Sequence, residues 1–349
     1  MKRDETKKIY VGDLPVGGGS PISVQSMCNT PTQDAEKSLA QIKTLAEGGC
    51  DIVRLAVPDM AAAKAMERIA AESPIPVVAD IHFDHRLALE CAQAGVHKIR
   101  INPGNIGGAD NVRAVAEACG ERNIPIRIGV NSGSLERELL KKYGAPTAEA
   151  MVESAAKHVS MLTDCGFEDI CLSLKASSVA LTVEACRLAA ASFPYPLHVG
   201  VTEAGTSYMG IIQSAVGIGT LLNEGIGDTI RVSLTADPVE EIRAGIAILK
   251  ACGLRKQGVK IVSCPTCGRT QIDLISTAEQ VETALRGCKK DITVAVMGCV
   301  VNGPGEAREA DFGLAGGRGE AVLFKKGEIV SKVAEHDMVP ALLKLIYEG

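Results

Sequence analysis

The chain has 349 residues, 46% of them apolar and 23% charged, with a formal net charge of −5. That balance describes an ordinary globular core under a solvated surface, and it argues against a nucleic-acid binder, whose footprint is basic. No apolar stretch approaches the roughly 18 residues that cross a bilayer, and the charged start MKRDETKKIYVGD has no apolar segment behind it, so a cytoplasmic protein with no membrane partner is expected.

Eight short runs rich in β-branched residues follow in chain order, with helical patterns between them: ISVQSM (22–27), DIVRLAV (51–57), PVVADI (76–81), KIRIN (98–102), PIRIGVN (125–131), DICLSLK (169–175), PLHVGV (196–201) and TIRVSL (229–234). Their starts fall 22 to 44 residues apart, room for a strand, a crossover helix and two short loops, so parallel pairing is expected. The longest interval should hold two helices, SLERELLKKYG and TAEAMVESAAKHVSMLTDCG. Several units close on Gly before the next strand (EGGCDIV, QAGVHKI, DCGFEDI), which permits a left-handed helix cap. Eight such units in roughly 250 residues predict an α/β fold, a (β/α)8 TIM barrel. An open doubly wound sheet competes, but no G-x-G-x-x-G follows the first strand.

The pattern changes near residue 253. We expect the barrel over residues 1–253, a linker over 254–260 and a small α+β domain over 261–349. That domain reads as a Cys-rich loop, a helix (TAEQVETALRGC), a strand (DITVAVMG), a Gly/Pro loop (CVVNGPGEA), a hairpin turning at Lys326-Gly327 and a last helix (VPALLKLIYEG).

Strands buried on both faces should be almost wholly apolar. Here Arg54, Arg100, Arg127 and Arg231 interrupt apolar strands, and Lys175 ends one. Side chains alternate faces along a strand. Asp80 therefore shares a face with His82, Arg100 with Asn102, Arg127 with Asn131, Ser173 with Lys175, and Arg231 with Ser233. Most lie at C-terminal strand ends, where barrels build their active sites. Glu203 follows the seventh strand and His198 lies within it. A buried charge costs several kcal/mol unless paired. Mutual neutralisation by Asp80, Glu203 and other interior acids is the bland account. Five cations against two evident acids leave an excess that suits an anionic ligand, and Arg favours bidentate phosphate contacts. A small phosphorylated or diphosphorylated substrate is expected.

Twelve Cys in 349 residues fall well below the roughly 8–10% of a disulfide scaffold. Cys264-Pro-Thr-Cys267 is a C-x2-C pair, a spacing that zinc, iron–sulfur clusters and redox dithiols all use. No second C-x2-C is present for zinc. A third ligand must come from Cys288, which closes a helix, or Cys299, in a Gly/Pro loop where backbone can approach an inorganic centre. Three Cys without a clear fourth suggest a 4Fe–4S cluster with one distinct iron. Glu306 is either a surface acid or a hard, exchangeable fourth ligand. The other Cys (28, 50, 91, 119, 165, 171, 186, 252) read as core residues.

The segments VGDLPVGGGSPISVQSMCNT, DIVRLAVP, ADIHF, KIRINPGN, IRIGVNSGSL, LSLKAS, GVTEAG, IRVSL, SCPTCGR and MGCVVNGPGEAREAD together resemble the 4-hydroxy-3-methylbut-2-en-1-yl diphosphate synthases of the methylerythritol phosphate route to isoprenoids. The resemblance spans nearly the whole chain and is to the short bacterial form; Cys28 departs from the Thr common in similar sequences. It implies an iron–sulfur oxidoreductase. In that reaction methylerythritol 2,4-cyclodiphosphate undergoes reductive ring opening and loss of water, with two single electrons passing from flavodoxin or ferredoxin through a 4Fe–4S cluster. It implies Cys264, Cys267, Cys299 and Glu306 as cluster ligands. It implies Arg54, Arg100, Arg127, Asn131, Lys175, Arg231 and Ser233 for the diphosphate, and Asp80, His82, Asn102, Glu203 and Asn302 in the catalytic pocket. It also implies a homodimer. Two other readings remain: a barrel transferase of pterin type with a structural zinc domain, and a redox sensor whose barrel merely binds a phosphometabolite.

Overall fold

The computed structural model describes residues 2–255, 258–288, 290–300 and 309–348. It divides into two compact units, Met1–Arg255 and Lys256–Gly349.

The first unit opens with a hairpin, β1 (Ile9–Val11) and β2 (Leu14–Val16). Then strands and helices alternate: β3 (Ser23–Met27), α1 (Ala35–Glu47), β4 (Ile52–Val57), α2 (Met60–Glu72), β5 (Val77–Ile81), α3 (His85–Gln93), β6 (Lys98–Ile101), α4 (Ala109–Gly120) and β7 (Ile126–Asn131). Two helices follow, α5 (Arg137–Tyr143) and α6 (Ala148–Thr163), before β8 (Ile170–Lys175), α7 (Val179–Ser192), β9 (His198–Val199), α8 (Ser207–Asn223), β10 (Thr229–Ile230) and α9 (Pro238–Ala251). Six of the helices begin on Asp, Ser or Thr caps whose side chains accept a backbone N–H: Asp34, Asp59, Asp84, Thr147, Ser178 and Asp237.

Strands β3 to β8 pair in chain order, all in parallel, and β10 joins β3 to β9. A bridge between Leu172 on β8 and Leu197 just before β9 closes the ring, so the architecture is the expected TIM barrel. Each predicted strand is present. The seventh and eighth shrink to two residues each, His198–Val199 and Thr229–Ile230, and the backbones run close together just beyond them. A Cβ on Gly200 would lie 2.3 Å from the Arg231 carbonyl oxygen and 2.9 Å from Lys175 Nζ. The β1–β2 hairpin was not predicted. Its Ile9, Val11 and Val16 are buried against Ile52, Val78 and Cys171, the inward residues at the N-terminal end of three strands. It stoppers the end of the barrel opposite the mouth.

The second unit is a five-stranded sheet in the order β11 (Lys260–Ser263), β12 (Thr293–Met297), β13 (Phe312–Gly316), β14 (Glu320–Lys325), β15 (Glu328–Ala334). The first three strands run parallel and the rest antiparallel. Helices α10 (Leu274–Ala284) and α11 (Met338–Glu348) bury Leu274, Val281, Leu342 and Ile346 in its core. The hairpin turns at Lys326 and Gly327, both with positive φ (49° and 81°), the pair that a type I′ turn demands. Strand β11 takes in Lys260, which the sequence assigns to the linker. β13 was not foreseen, since FGLAG has little β propensity. No helix among the described residues is long and apolar enough to cross a membrane.

Candidate active site

Alternation along the barrel strands aims residues i, i+2 and i+4 inward. On β6 these are Lys98, Arg100 and then Asn102; on β8 they are Cys171, Ser173 and Lys175. At the C-terminal mouth the upper positions converge on a cavity of about 200 Å³. Of the residues predicted for the site, Arg54, Asp80, His82, Arg100, Arg127, Asn131, Lys175, Arg231 and Ser233 line it, together with Gly129, Ser173 and Thr202. Two predicted residues stand apart from this lining. Asn102 turns its Oδ1 to accept the Gly104 N–H at 3.0 Å, capping the turn after β6. Glu203 is exposed on the loop after β9 and holds a left-handed backbone, φ 54°. Asn302 and Glu306 lie outside the described residues.

The charges at the mouth are partly paired. Arg54 Nε lies 3.7 Å from Asp80 Oδ2, and Arg100 Nη1 lies 3.2 Å from Asp80 Oδ1 and 2.9 Å from His82 Nε2. Arginine has no acceptor, so in the contact with Arg100 it is His82 Nε2 that accepts; the same nitrogen lies 3.6 Å from Asp80 Oδ1. Burial alone would raise the Asp80 pKa; the guanidiniums of Arg54, Arg100 and Arg127 outweigh it and hold the carboxyl well below the usual carboxylate range. Asp80 is therefore an anion throughout the working range of pH. Arg231 is met by Glu241 on α9, at 3.3 Å from both Nε and Nη2. Glu241 also accepts from Ser26 Oγ at 3.0 Å and Leu234 N–H at 3.1 Å. The second interior acid is thus Glu241, whereas Glu203, taken as that acid from sequence, makes no ion pair among the described residues.

Among the described residues neither Arg127 nor Lys175 makes an ion pair, and Arg127 finds only the Gln25 carbonyl, at 3.2 Å. Burial pulls Arg54 down to about 9 and Arg127 to about 10, which leaves both cationic at neutral pH. Lys175 is pushed well below the ordinary lysine value by burial, then by Arg127, Arg231 and Arg54. A lysine so depressed loses its proton at a lower pH than a surface lysine. Pyrophosphate binding, followed by calorimetry, should weaken as pH rises through that depressed value, because only the ammonium attracts the anion. Lys175→Met should abolish that slope and weaken neutral-pH binding about tenfold or more, a hydrogen bond to a charged group contributing about 1.5–3 kcal/mol. An unchanged alkaline slope in Lys175→Met would refute the assignment.

Phe83 was missed by sequence reasoning. It is 75% exposed beside His82, ring centroids 5.9 Å apart, and its φ of 66° is a strained conformation for an aromatic residue. A single Phe in a loop carries no sequence signal. Gly129 was also missed: a Cβ there would lie 2.5 Å from Arg100 Nε, so the glycine makes room for the guanidinium.

In the second unit the C-x2-C turn packs on the end of β12. Gly298 N–H points at Cys264 Sγ at 3.3 Å, and Gln271 N–H donates to the Gly298 carbonyl at 2.9 Å. The turn is thus tied to the residue preceding Cys299. A Cβ on Gly298 would lie 2.9 Å from Thr270 Cγ2, so only glycine allows this approach. The exposed Cys267 thiol is held below its ordinary value by hydrogen bonds from the Arg269 backbone and then its guanidinium. Burial instead pushes Cys28, Cys50, Cys91, Cys119 and Cys186 up to about 12, as inert core thiols require. Cys288 is bonded into the turn after α10 and packs on the apolar core. Among the described residues no three metal-ligating side chains already converge on one point. The donor set fits an iron–sulfur cluster nonetheless: soft thiols, one favouring thiolate and one receiving an N–H···S bond.

The fold and the mouth define a class: a parallel barrel whose active end is built to hold a compact polyanion, joined to a thiol-bearing α+β domain. The chain belongs to the GcpE family: the GcpE TIM-barrel domain matches residues 6–246 and the GcpE protein C-terminal domain residues 260–348. It is 61% identical to a 4-hydroxy-3-methylbut-2-en-1-yl diphosphate synthase (flavodoxin) of Clostridium perfringens, over 99% of both chains. It is 62% identical to the protein of the same name from Geobacter sulfurreducens, over 97% of this chain and 96% of that one. Among solved structures it is similar to a type I 3-dehydroquinate dehydratase of Clostridium difficile (TM-score 0.51, 14% identity, 71% of this chain and 98% of that one). A dihydropteroate synthase of Yersinia pestis is comparably similar (TM-score 0.50, 14% identity, 70% and 98%). These two likenesses show the barrel fold alone.

Proposed function

We infer that the chain catalyses the reaction its relatives are named for. It is an iron–sulfur oxidoreductase that opens methylerythritol 2,4-cyclodiphosphate reductively and removes water, giving 4-hydroxy-3-methylbut-2-en-1-yl diphosphate. The observation that carries this reading is the mouth of the barrel. Arg127 and Lys175 face no carboxylate within ion-pair distance among the described residues, beside the paired Arg54, Arg100 and Arg231. A cyclic diphosphate supplies the missing negative charge, and forked guanidiniums hold its oxygens in a fixed orientation.

Cys264, Cys267 and Cys299, with Glu306 as an exchangeable fourth ligand, would hold a 4Fe–4S cluster. When bound, that cluster supplies electrons one at a time and a Lewis-acidic iron. The barrel does the rest. Asp80 fixes Arg54 and Arg100 against their mutual repulsion. Glu241 does the same for Arg231 and, through Ser26, ties it to β3. His82, held at Nε2 by Arg100, lines the cavity beside the bound ligand. Glu203, exposed at the rim on a strained backbone, suits delivery of a proton to the departing hydroxyl. Asn131 and Ser233 complete the polar lining; Asn102 and Asn302 are assigned to the catalytic pocket by the family resemblance. Flavodoxin is the electron donor that the relatives' names give; ferredoxin is the alternative. The protein acts in the cytoplasm as a homodimer.

The test is anaerobic turnover of the cyclodiphosphate with reduced flavodoxin, with product identified by mass. Product should form only with reductant. A chain with four irons and four sulfides that never turns over would instead be a phosphometabolite sensor, and one zinc with no visible absorption would point to the transferase reading.

A further inference from the structure

One layer beneath the mouth, each barrel strand sends one side chain inward: Gln25, Ile52, Val78, Lys98, Arg127, Cys171, His198 and Thr229. Ile52, Val78 and Cys171 carry the hydrophobic stopper formed by the N-terminal hairpin. The polar members are all buried, yet Gln25 Nε2, Lys98 Nζ, Arg127 Nε and His198 Nε2 have no hydrogen-bond partner among the described residues, and neither has Ser23 Oγ just below. Five of the eight such orphaned atoms in the described chain thus fall in one stretch of barrel interior. They act on one another: Lys98 senses Cys171, Arg127 and Arg54, and His198 senses Lys175, Arg127 and Lys98. Orphans of this kind are costly, more so when charged, so something must satisfy them.

The lining selects what that is. Lys98, Arg127 Nε and Gln25 Nε2 can only donate, and one lone pair of the Gln25 oxygen is already taken by Arg127 Nη1. Burial holds His198 neutral, and its Nδ1 lies 3.4 Å from Thr229 Oγ1. With that hydroxyl donating, Nε2 carries the proton and also donates. A water must place two protons of its own, and the ring offers it few acceptors: the Gln25 and Thr229 oxygens and, just below, the Ser23 hydroxyl. The charges agree. Asp80 answers Arg54 and Arg100, Glu241 answers Arg231, and a substrate at the mouth reaches Arg127 and Lys175. Lys98 does not line the mouth and, among the described residues, makes no ion pair.

We propose that the barrel encloses a second anion site, a sealed one for a small monovalent inorganic anion of chloride size, held by Lys98, Arg127, Gln25 and His198 beneath the substrate mouth. The anion neutralises Lys98, which allows the interior to hold six cations against two acids. The site shares Arg127 with the mouth above it, whereas Lys98, Gln25 and His198 do not line that cavity.

Crystals of the full chain dialysed into bromide test it directly. One anomalous peak is expected within reach of Lys98 Nζ and His198 Nε2. The melting temperature in bromide should exceed that in gluconate at equal ionic strength by about 2–4 °C, and the difference should vanish in Lys98→Met. Ordered waters in the ring with no anomalous peak would overturn the proposal, as would an equal bromide effect in Lys98→Met. The diffraction measurement needs no variant, so it decides even where Lys98→Met fails to fold.

Discussion

Cys299→Ser is expected to lose the iron and all turnover, while Cys288→Ser keeps both. Cys299 is 7% exposed at the end of β12, directly after Gly298, whose N–H reaches Cys264 Sγ. The hydrogen bond from Gln271 to the Gly298 carbonyl fixes the C-x2-C turn at the same strand end. A serine oxygen there is a hard donor that resists deprotonation, a poor substitute for thiolate on iron. Cys288 is tied by its backbone N–H to the Leu285 carbonyl and packs against the apolar core of the small unit. Its replacement should cost about 1 kcal/mol of stability and no iron. Iron and sulfide content after anaerobic reconstitution, with the visible absorption band, distinguishes the two variants. The reverse result would make Cys288 the third ligand.

The barrel was legible because its signal is repetitive. Eight β-branched runs separated by helix-length intervals leave little choice once parallel pairing is granted, and capping residues mark the helix starts. The site was legible for a related reason. A guanidinium inside a strand buried on both faces is costly enough to need a function, so Arg54, Arg100, Arg127 and Arg231 stood out without any contact being known. What stayed hidden depends on contacts distant in sequence. Glu241 is one of two adjacent acids on an amphipathic helix, and nothing local says that it, and not Glu240, turns to Arg231. The hairpin stopper looks like any short Gly-turned segment until Ile52, Val78 and Cys171 are seen to need a cover. β13 reads poorly as a strand because its glycines serve packing: a Cβ on Gly313 would lie 2.2 Å from the Phe324 ring. Lys98 and His198 were in plain view within predicted strands. Their inward direction follows from alternation with Arg100 and Gly200, but their lack of partners is a three-dimensional fact.

Arg100→Ala should reduce kcat/KM by about a hundred- to a thousandfold, chiefly through KM, and leave the iron content unchanged. Truncating one member of a buried, hydrogen-bonded charge pair costs about 2–5 kcal/mol, part of it the penalty on the partner left behind. Arg100 has two such partners. Without it Asp80 keeps Arg54, at 3.7 Å, and the His82 ring, at 3.6 Å, and His82 Nε2 loses its partner at 2.9 Å. The substrate loses a guanidinium, and the ring that would polarise or protonate it is free to flip. Gly129→Ala separates the charge from its position. The new Cβ would come within 2.5 Å of Arg100 Nε and 2.7 Å of Nη2, atoms at the far end of a flexible side chain. The barrel should therefore fold, while the guanidinium moves aside. Misplacement by about 1 Å can cost about a hundredfold in rate, so Gly129→Ala should share the kinetic defect of Arg100→Ala with the full complement of charge still present. Steady-state kinetics and iron analysis on the two variants decide the matter. A Gly129→Ala enzyme with unchanged KM and kcat would show that the charge of Arg100 suffices wherever it sits, and loss of iron in either variant would give this arginine a structural role that the barrel does not show.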